Sequence, residues 1–168
     1  MNWVFNLLFR RCKVKEYNTV LDMEELYEQL KIDEGVVYEI YEDHLGYPTF
    51  GVGHLILDTD EEYGKPSGTP VSEDRVRECF ERDITIAIEE CKILYGSVFW
   101  DGLQGEVKSI LVNMMFNLGR PRLSKFLKFK AALLDGNYRK AANEGRDSLW
   151  YRQVTNRAER LMKRLENV

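Results

Sequence analysis

Glu34 and Asp43 stand nine positions apart in the run Asp33-Glu34-Gly35-Val36-Val37-Tyr38-Glu39-Ile40-Tyr41-Glu42-Asp43, and Thr49 follows in Gly46-Tyr47-Pro48-Thr49-Phe50-Gly51-Val52-Gly53-His54. Two carboxyl groups and a hydroxyl are a useful set for cutting a glycosidic bond. One carboxylic acid protonates the leaving oxygen, while one carboxylate activates water or attacks carbon. The chain has 28 acidic residues, so Glu/Asp pairs at this spacing also arise by chance. The elements that carry the pair therefore matter more than the interval.

A helical pattern over residues 23–33 runs into Gly35, a residue that commonly follows a helix C-terminus because it tolerates positive φ. Glu34 sits at that junction, from which a side chain projects into a cleft. Residues 37–42, rich in β-branched and aromatic side chains, read as a strand that delivers Asp43 to a hairpin tip. His44-Leu45-Gly46 forms the turn. Residues 47–54 make the return strand, placing Thr49 near Asp43, and Gly51 and Gly53 permit close approach of a ligand or another backbone.

Several stretches, in order, resemble the phage-type lysozymes of glycoside hydrolase family 24, including their tail-associated members. They are Leu30-Lys31-Ile32-Asp33-Glu34-Gly35, Ile40-Tyr41-Glu42-Asp43, Gly46-Tyr47-Pro48-Thr49-Phe50-Gly51-Val52-Gly53-His54-Leu55, Asn113-Met114-Met115-Phe116-Asn117-Leu118-Gly119, and Gly145-Arg146-Asp147-Ser148-Leu149-Trp150-Tyr151 with Asn156-Arg157-Ala158. The resemblance implies an α+β, lysozyme-like fold of two lobes, a small antiparallel β-sheet lobe and a larger helical lobe joined by a long helix.

It also implies hydrolysis of the β-1,4 bond between N-acetylmuramic acid and N-acetylglucosamine in bacterial peptidoglycan, with neither metal nor cofactor. Glu34 is then the general acid. Asp43, helped by Thr49, holds the water that attacks from the opposite face, an inverting reaction that needs about 6.5–9.5 Å between the carboxyl groups. Partial desolvation of Glu34 would favour its protonated form. Arg157 is the candidate for fixing that side chain, although a surface ion pair is its equal alternative. The family's sugar-contacting positions fall on Leu55, Phe116, Phe129 and Glu144. Leu55 and Phe116 match in type, with ordinary core as the competing reading, whereas Phe129 and Glu144 replace the small or amide side chains expected. His54 is expected to be a hydrogen-bonded structural histidine with a carboxylate partner such as Asp83.

A chain of 168 residues has the usual size of one domain, and its 44% hydrophobic and 12% aromatic content supplies a core. Cys12, Cys79 and Cys91 form no CxxC pair, and only His44 and His54 add imidazole, which argues against a zinc site. Cys79 and Cys91 fall on one helix about 18 Å apart along its axis, too far for a bridge, so free thiols are expected. Charge is divided unevenly. Residues 23–105 carry 20 acidic and 6 basic side chains, and residues 106–168 carry 14 basic and 6 acidic. The basic half is suited to steering toward anionic wall polymers, or else is the solvated face of helices. An acidic pI of 5.4 and the lack of a reader motif speak against nucleic acid.

Boundaries follow from these patterns: an N-terminal extension over 1–22 and a lysozyme domain over 23–168. Within the domain, a small lobe covers about 34–71, a linking helix about 72–95 and a helical lobe about 96–168. Residues 59–70 read as a loop. Ser72 is a good N-cap with Glu73 and Asp74 in the first turn, and Val76, Phe80, Ile84, Ile88 and Leu94 recur at helical spacing. Helices are expected over 107–118, 124–134, 138–145 and 155–166, interrupted at Gly119-Arg120-Pro121 and Asp135-Gly136-Asn137. The stretch between His54 and Ser72 is shorter than in the family, which lowers one cleft wall. The C-terminus stops soon after the Asn156-Arg157 helix, and the N-terminus is a candidate to supply the missing packing.

The apolar run Trp3-Val4-Phe5-Asn6-Leu7-Leu8-Phe9 is too short for a bilayer, which needs about 20 residues, and its positive charges follow rather than precede it, unlike a secretory signal. It reads as an element packed on the domain or as a segment that docks on a membrane surface or protein through residues 1–22. The expected setting is a monomeric endolysin in the host cytoplasm that reaches the periplasmic wall after holin release. The alternatives are a virion tail lysozyme and a non-catalytic wall-binding module.

Overall fold

The computed structural model describes residues 18–168. Its elements run α1 (Met23–Glu34), β1 (Val37–Glu42), β2 (Pro48–Gly51), β3 (His54–Leu55), α2 (Glu73–Tyr95), α3 (Ser97–Gly102), α4 (Gly105–Leu118), α5 (Arg120–Leu123), α6 (Leu127–Leu134), α7 (Tyr138–Arg146), α8 (Leu149–Gln153) and α9 (Thr155–Glu166). The fold is α+β: a three-stranded antiparallel sheet of order β1-β2-β3 on one side, and a larger helical lobe on the other. The readings of Cys12 and of the apolar run at residues 3–9 lie outside the described residues.

Two apolar cores account for the two lobes, and α2 belongs to both. Its first turns place Val76 and Cys79 with Ile40, Phe50, Ile56 and Val71 under the sheet. Its later turns place Phe80, Ile84, Ala87, Cys91 and Tyr95 in the large core with Leu26, Leu30, Ile110, Leu111 and Met114. The expected N-cap is in place, since Ser72 accepts from the N–H of Arg75 and Glu73 and Asp74 face the positive helix end. α4 is buried along most of its length and forms the axis of the helical lobe.

Three local expectations are corrected. The return strand does not run through residues 47–54. Gly51, with φ of 63°, ends β2, and the chain turns back through Gly53 into the short strand β3. Gly51 is also required sterically, because a Cβ there would meet Cγ1 of Val76 at 3.0 Å. The loop expected at 59–70 is present and is tied to the sheet: Ile40 N–H donates to Thr69 O at 2.9 Å, Gly68 N–H to Ile40 O at 2.8 Å and Val71 N–H to Tyr38 O at 2.8 Å. These bonds cover the edge of β1, which would otherwise expose unpaired backbone groups. Gly119-Arg120-Pro121 interrupts α4 but opens α5, where proline is tolerated because first-turn N–H groups need no helical partner. The next helix accordingly starts at Leu127 rather than Ser124.

Upstream of α1, residues 18–22 lie against the start of α4. Gln104 provides no side-chain cap, and the N–H of Gly105 instead donates to Asn18 O at 2.8 Å. Lys108, buried beside Trp100, donates to Thr19 O at 2.8 Å and to Asp101 O at 3.2 Å.

Candidate active site

Glu34 is the last residue of α1. Asp22 caps that helix by accepting from Glu25 N–H, Leu26, Tyr27 and Leu30 bury one face, and Gly35 ends it with φ of 80°. The Glu34 side chain keeps 27% of its surface exposed. It opens on a hollow of about 460 Å³ shared with Asn117, Thr155, Arg157 and Arg160.

Arg157, in the first turn of α9, donates through Nη1 to Oε1 of Glu34. The arginine is 7% exposed and is held from behind by Asn113 of α4: Nε donates to Oδ1 at 2.9 Å and Nη2 to the backbone oxygen at 3.2 Å. The position chosen from sequence for Arg157 therefore carries a buried clamp rather than a surface ion pair.

Asp43 occupies the hairpin tip. Its Oδ1 accepts from Leu45 N–H at 2.8 Å and Tyr47 N–H at 2.9 Å. These donors, Tyr47 first, hold the carboxyl below its ordinary value, so it is an anion at neutral pH. The backbone of the same residue serves Thr49, whose Oγ1 donates to Tyr47 O at 3.0 Å. The two peptide groups that flank Tyr47 thus position both side chains. Thr49 is buried in the central strand, with Tyr41 and Leu55 as its cross-strand partners.

The remaining candidate contacts separate into three places. Leu55 is exposed beside Thr49. Phe116 is partly buried against the large core, its ring 6.4 Å from that of Phe80. Phe129 and Glu144 come together, far apart in sequence, in a second hollow of about 470 Å³ that also includes Leu149 and Trp150. Phe129 is itself a core residue of 1% exposure, so its ring is the floor of that hollow. The two hollows are joined by a hydrogen bond of 2.8 Å from Trp150 Nε1 in the second to Asn117 Oδ1 in the first.

The phage lysozyme family model matches residues 31–167, which include all of these groups. The chain belongs to the phage lysozyme family. It is 33% identical over 151 residues to the pre-baseplate central spike protein Gp5 of Enterobacteria phage T4, covering 80% of this chain and 26% of that protein. It is also 30% and 28% identical to probable T4-type lysozymes 1 and 2 of Dictyostelium discoideum, covering 83% and 82% of this chain and 92% and 91% of those proteins. The chain thus spans about a quarter of the spike protein and nine-tenths of the two lysozymes.

In this member of the family His54 has the expected partner, with Nδ1 2.8 Å from Asp83 Oδ2. It has a second that sequence reasoning did not find: Nε2 lies 3.1 Å from Asp60 Oδ2. Asp60 also pairs with Arg75 and Arg82, and Arg75 pairs with Glu62 at 3.0 Å. Burial would raise the Asp60 carboxyl, but Leu57 N–H, Arg82 and His54 hold it down to about 2. His54, Asp60 and Cys79 have donor atoms within 4.8 Å of one another, the one such group among the described residues. Its surroundings do not suit a metal ion. Burial pushes the Cys79 thiol up to about 11, both imidazole nitrogens already face carboxylates, and two guanidinium groups supply the positive charge.

Other members of the site were also missed. Asp33, Asn113, Asn117 and Arg160 surround the Glu34 clamp. Asn113 carried a readable signal, a lone amide within Ile110-Leu111-Val112-Asn113-Met114-Met115, because an amide buried in such a run needs hydrogen-bond partners.

Proposed function

We propose that this chain is an inverting muramidase that hydrolyses the β-1,4 bond between N-acetylmuramic acid and N-acetylglucosamine in bacterial peptidoglycan. Glu34 is the general acid, and Asp43, with Thr49, holds the attacking water. The observation that carries this reading is the different treatment of the two carboxyl groups. Glu34 is clamped by Arg157 at the wall of a hollow, whereas Asp43 is a half-buried anion tied by backbone N–H groups. An acid held in place and a base kept ionised are the two roles that inversion needs. Leu55 and Phe116 line the glycan cleft, and the hollow of Phe129 and Glu144 receives the part of the substrate that extends past Trp150. The reaction uses no cofactor, and residues 23–168 carry it, with residues 18–22 packed on them.

The test compares wild type with Glu34→Gln and Asp43→Asn on purified Gram-negative peptidoglycan, after all three are shown to fold. Muropeptides with reducing-end muramic acid, formed with inverted configuration by the wild type alone, are expected. A folded wild type that binds the wall without releasing product overturns the enzyme reading in favour of a binding module.

For the setting, we propose an endolysin that accumulates in the host cytoplasm and meets the periplasmic wall after holin release. A virion tail lysozyme is the second reading, favoured by the similarity to the T4 spike protein. Mass spectrometry of purified virions separates the two, since an endolysin is absent from the particle.

A further inference from the structure

Arg157 has two carboxylates within reach and donates to one of them. Its Nε lies 3.6 Å from Oδ2 of Asp33, a side chain only 2% exposed, yet the Nε hydrogen goes to Asn113 Oδ1 at 2.9 Å. Asn113, 1% exposed, uses its other amide atom on Asp33, with Nδ2 donating to Oδ2 at 2.9 Å. The second Asp33 oxygen is taken by Arg160. Asp33 is thus satisfied without Arg157, and Nη1 of Arg157 remains for Glu34.

Without Asn113 the balance would reverse. A buried carboxylate attracts a guanidinium more strongly than a half-exposed one, because less water screens the pair. Arginine and carboxylate also favour a charge-assisted hydrogen bond, and Nε, released from Asn113 Oδ1, would offer it to Asp33. The clamp would then turn away from the cleft.

We propose that Asn113 is a positioning residue of the reaction: by standing between Arg157 and Asp33, it keeps the guanidinium directed at Glu34. This rests on the assignment of Glu34 as the acid. The amide is neutral, donates from one end and accepts at the other, and so serves both charged neighbours at once. No aliphatic residue of similar volume does this.

The experiment follows kcat and KM on soluble peptidoglycan fragments for Asn113→Ala, Asp33→Asn and the double variant. It also follows the Arg157 Nε–Hε resonance in ¹⁵N-labelled protein, assigned with Arg157→Lys. Asn113→Ala should lower kcat by on the order of a hundredfold, the scale of a misplaced catalytic group, with little change in KM. Its Arg157 resonance should shift. Adding Asp33→Asn removes the competing charge and should restore about tenfold of that loss, equivalent to about 1.4 kcal/mol of barrier. A purely structural Asn113 predicts no rescue, so a double variant as slow as the single one overturns the proposal. If wild-type protein shows no turnover, the muramidase reading fails, and the resonance decides alone: a peak unmoved by Asn113→Ala overturns the positioning role. If the alanine variant does not fold, Asn113→Ser is put through the same measurements.

Discussion

His54 and Asp60 face one another inside the small lobe, with Nε2 and Oδ2 3.1 Å apart, and Asp83 holds the other imidazole nitrogen at 2.8 Å. Burial disfavours the charged imidazole, but the hydrogen bonds and charges of the two aspartates outweigh it and raise His54 above 6.5. Its contribution to stability is complete below the unfolded value and is lost as pH rises through the raised folded one. Asp60 works in the opposite direction. Depressed from 3.8 to about 2, it contributes about 2 kcal/mol above its unfolded value, and this is lost as pH falls toward 2. Thermal unfolding is therefore expected to peak between about pH 4 and 6.5. Replacing the histidine (His54→Asn) should flatten the alkaline side of that profile, while the acid side weakens only by the part His54 supplies, since Leu57 N–H and Arg82 still hold Asp60 down.

The outline of this arrangement was legible in the sequence because short-range signals carried it. Gly35 after a helical pattern, Ser72 before acidic residues and the β-branched and aromatic run of β1 showed where Glu34, Asp43 and α2 fall. His54 and Asp83 were paired correctly from sequence. Asp60 was not, because its segment read only as a turn-rich loop, and neither turn composition nor spacing reveals that it folds back along β1 to reach Arg75 and Arg82. The buried amide of Asn113 stood out in its apolar run, but its partner Asp33 was hidden for the same reason: their meeting joins positions 80 apart through packing of α1 on α4.

The backbone of Tyr47 makes a second measurable link. It ties Asp43 and Thr49 through backbone atoms, so substitution of the Tyr47 ring should leave both groups in place, whereas loss of the Thr49 hydroxyl should not be silent. Thr49→Val keeps the branched shape suited to β2 but removes the hydroxyl proposed to hold the attacking water. A loss of about 10²-fold or more in kcat is expected, the usual scale for a group that positions a reacting proton. Thr49→Ser should retain far more activity. Equal rates for the valine and serine variants, with both folded, would remove Thr49 from the mechanism.

Arg75 carries the short segment between β3 and α2. It meets Asp60 at 3.3 Å and Glu62 at 3.0 Å, and both carboxylates are almost completely covered. Removing the guanidinium leaves two buried anions short of a partner, a change that costs about 3–5 kcal/mol for a buried pair. Arg75→Ala should therefore lower the melting temperature strongly and speed hydrogen exchange at residues 57–63 first. Arg77→Ala, whose pairs with Glu24 and Glu81 are at the surface, should change stability by less than about 1 kcal/mol. Similar melting points for the two variants would contradict the assignment of the Asp60–Glu62 cluster as the support of that segment.

Gly105 gives a prediction whose sign separates local propensity from tertiary packing. In the first turn of an otherwise unconstrained helix, alanine would be favoured over glycine by up to about 1 kcal/mol. Here a Cβ would lie 2.0 Å from Val20 O and 2.9 Å from its carbonyl carbon, backbone atoms that cannot give way without lifting residues 18–20 off α4. The bond from Gly105 N–H to Asn18 O would break, and Lys108 would lose Thr19 O while its ammonium stayed buried, an environment that already lowers its pKa. Gly105→Ala should therefore destabilise the protein by about 1–3 kcal/mol, the cost of leaving a buried polar group unpaired. Lys108→Met should release the same segment by removing its donor. Limited proteolysis should then cut both variants within residues 18–22 well before the wild type. A Gly105→Ala protein that melts higher than wild type, with this segment still protected, would mean that α4 is governed by its own helix propensity and that residues 18–20 only rest against it.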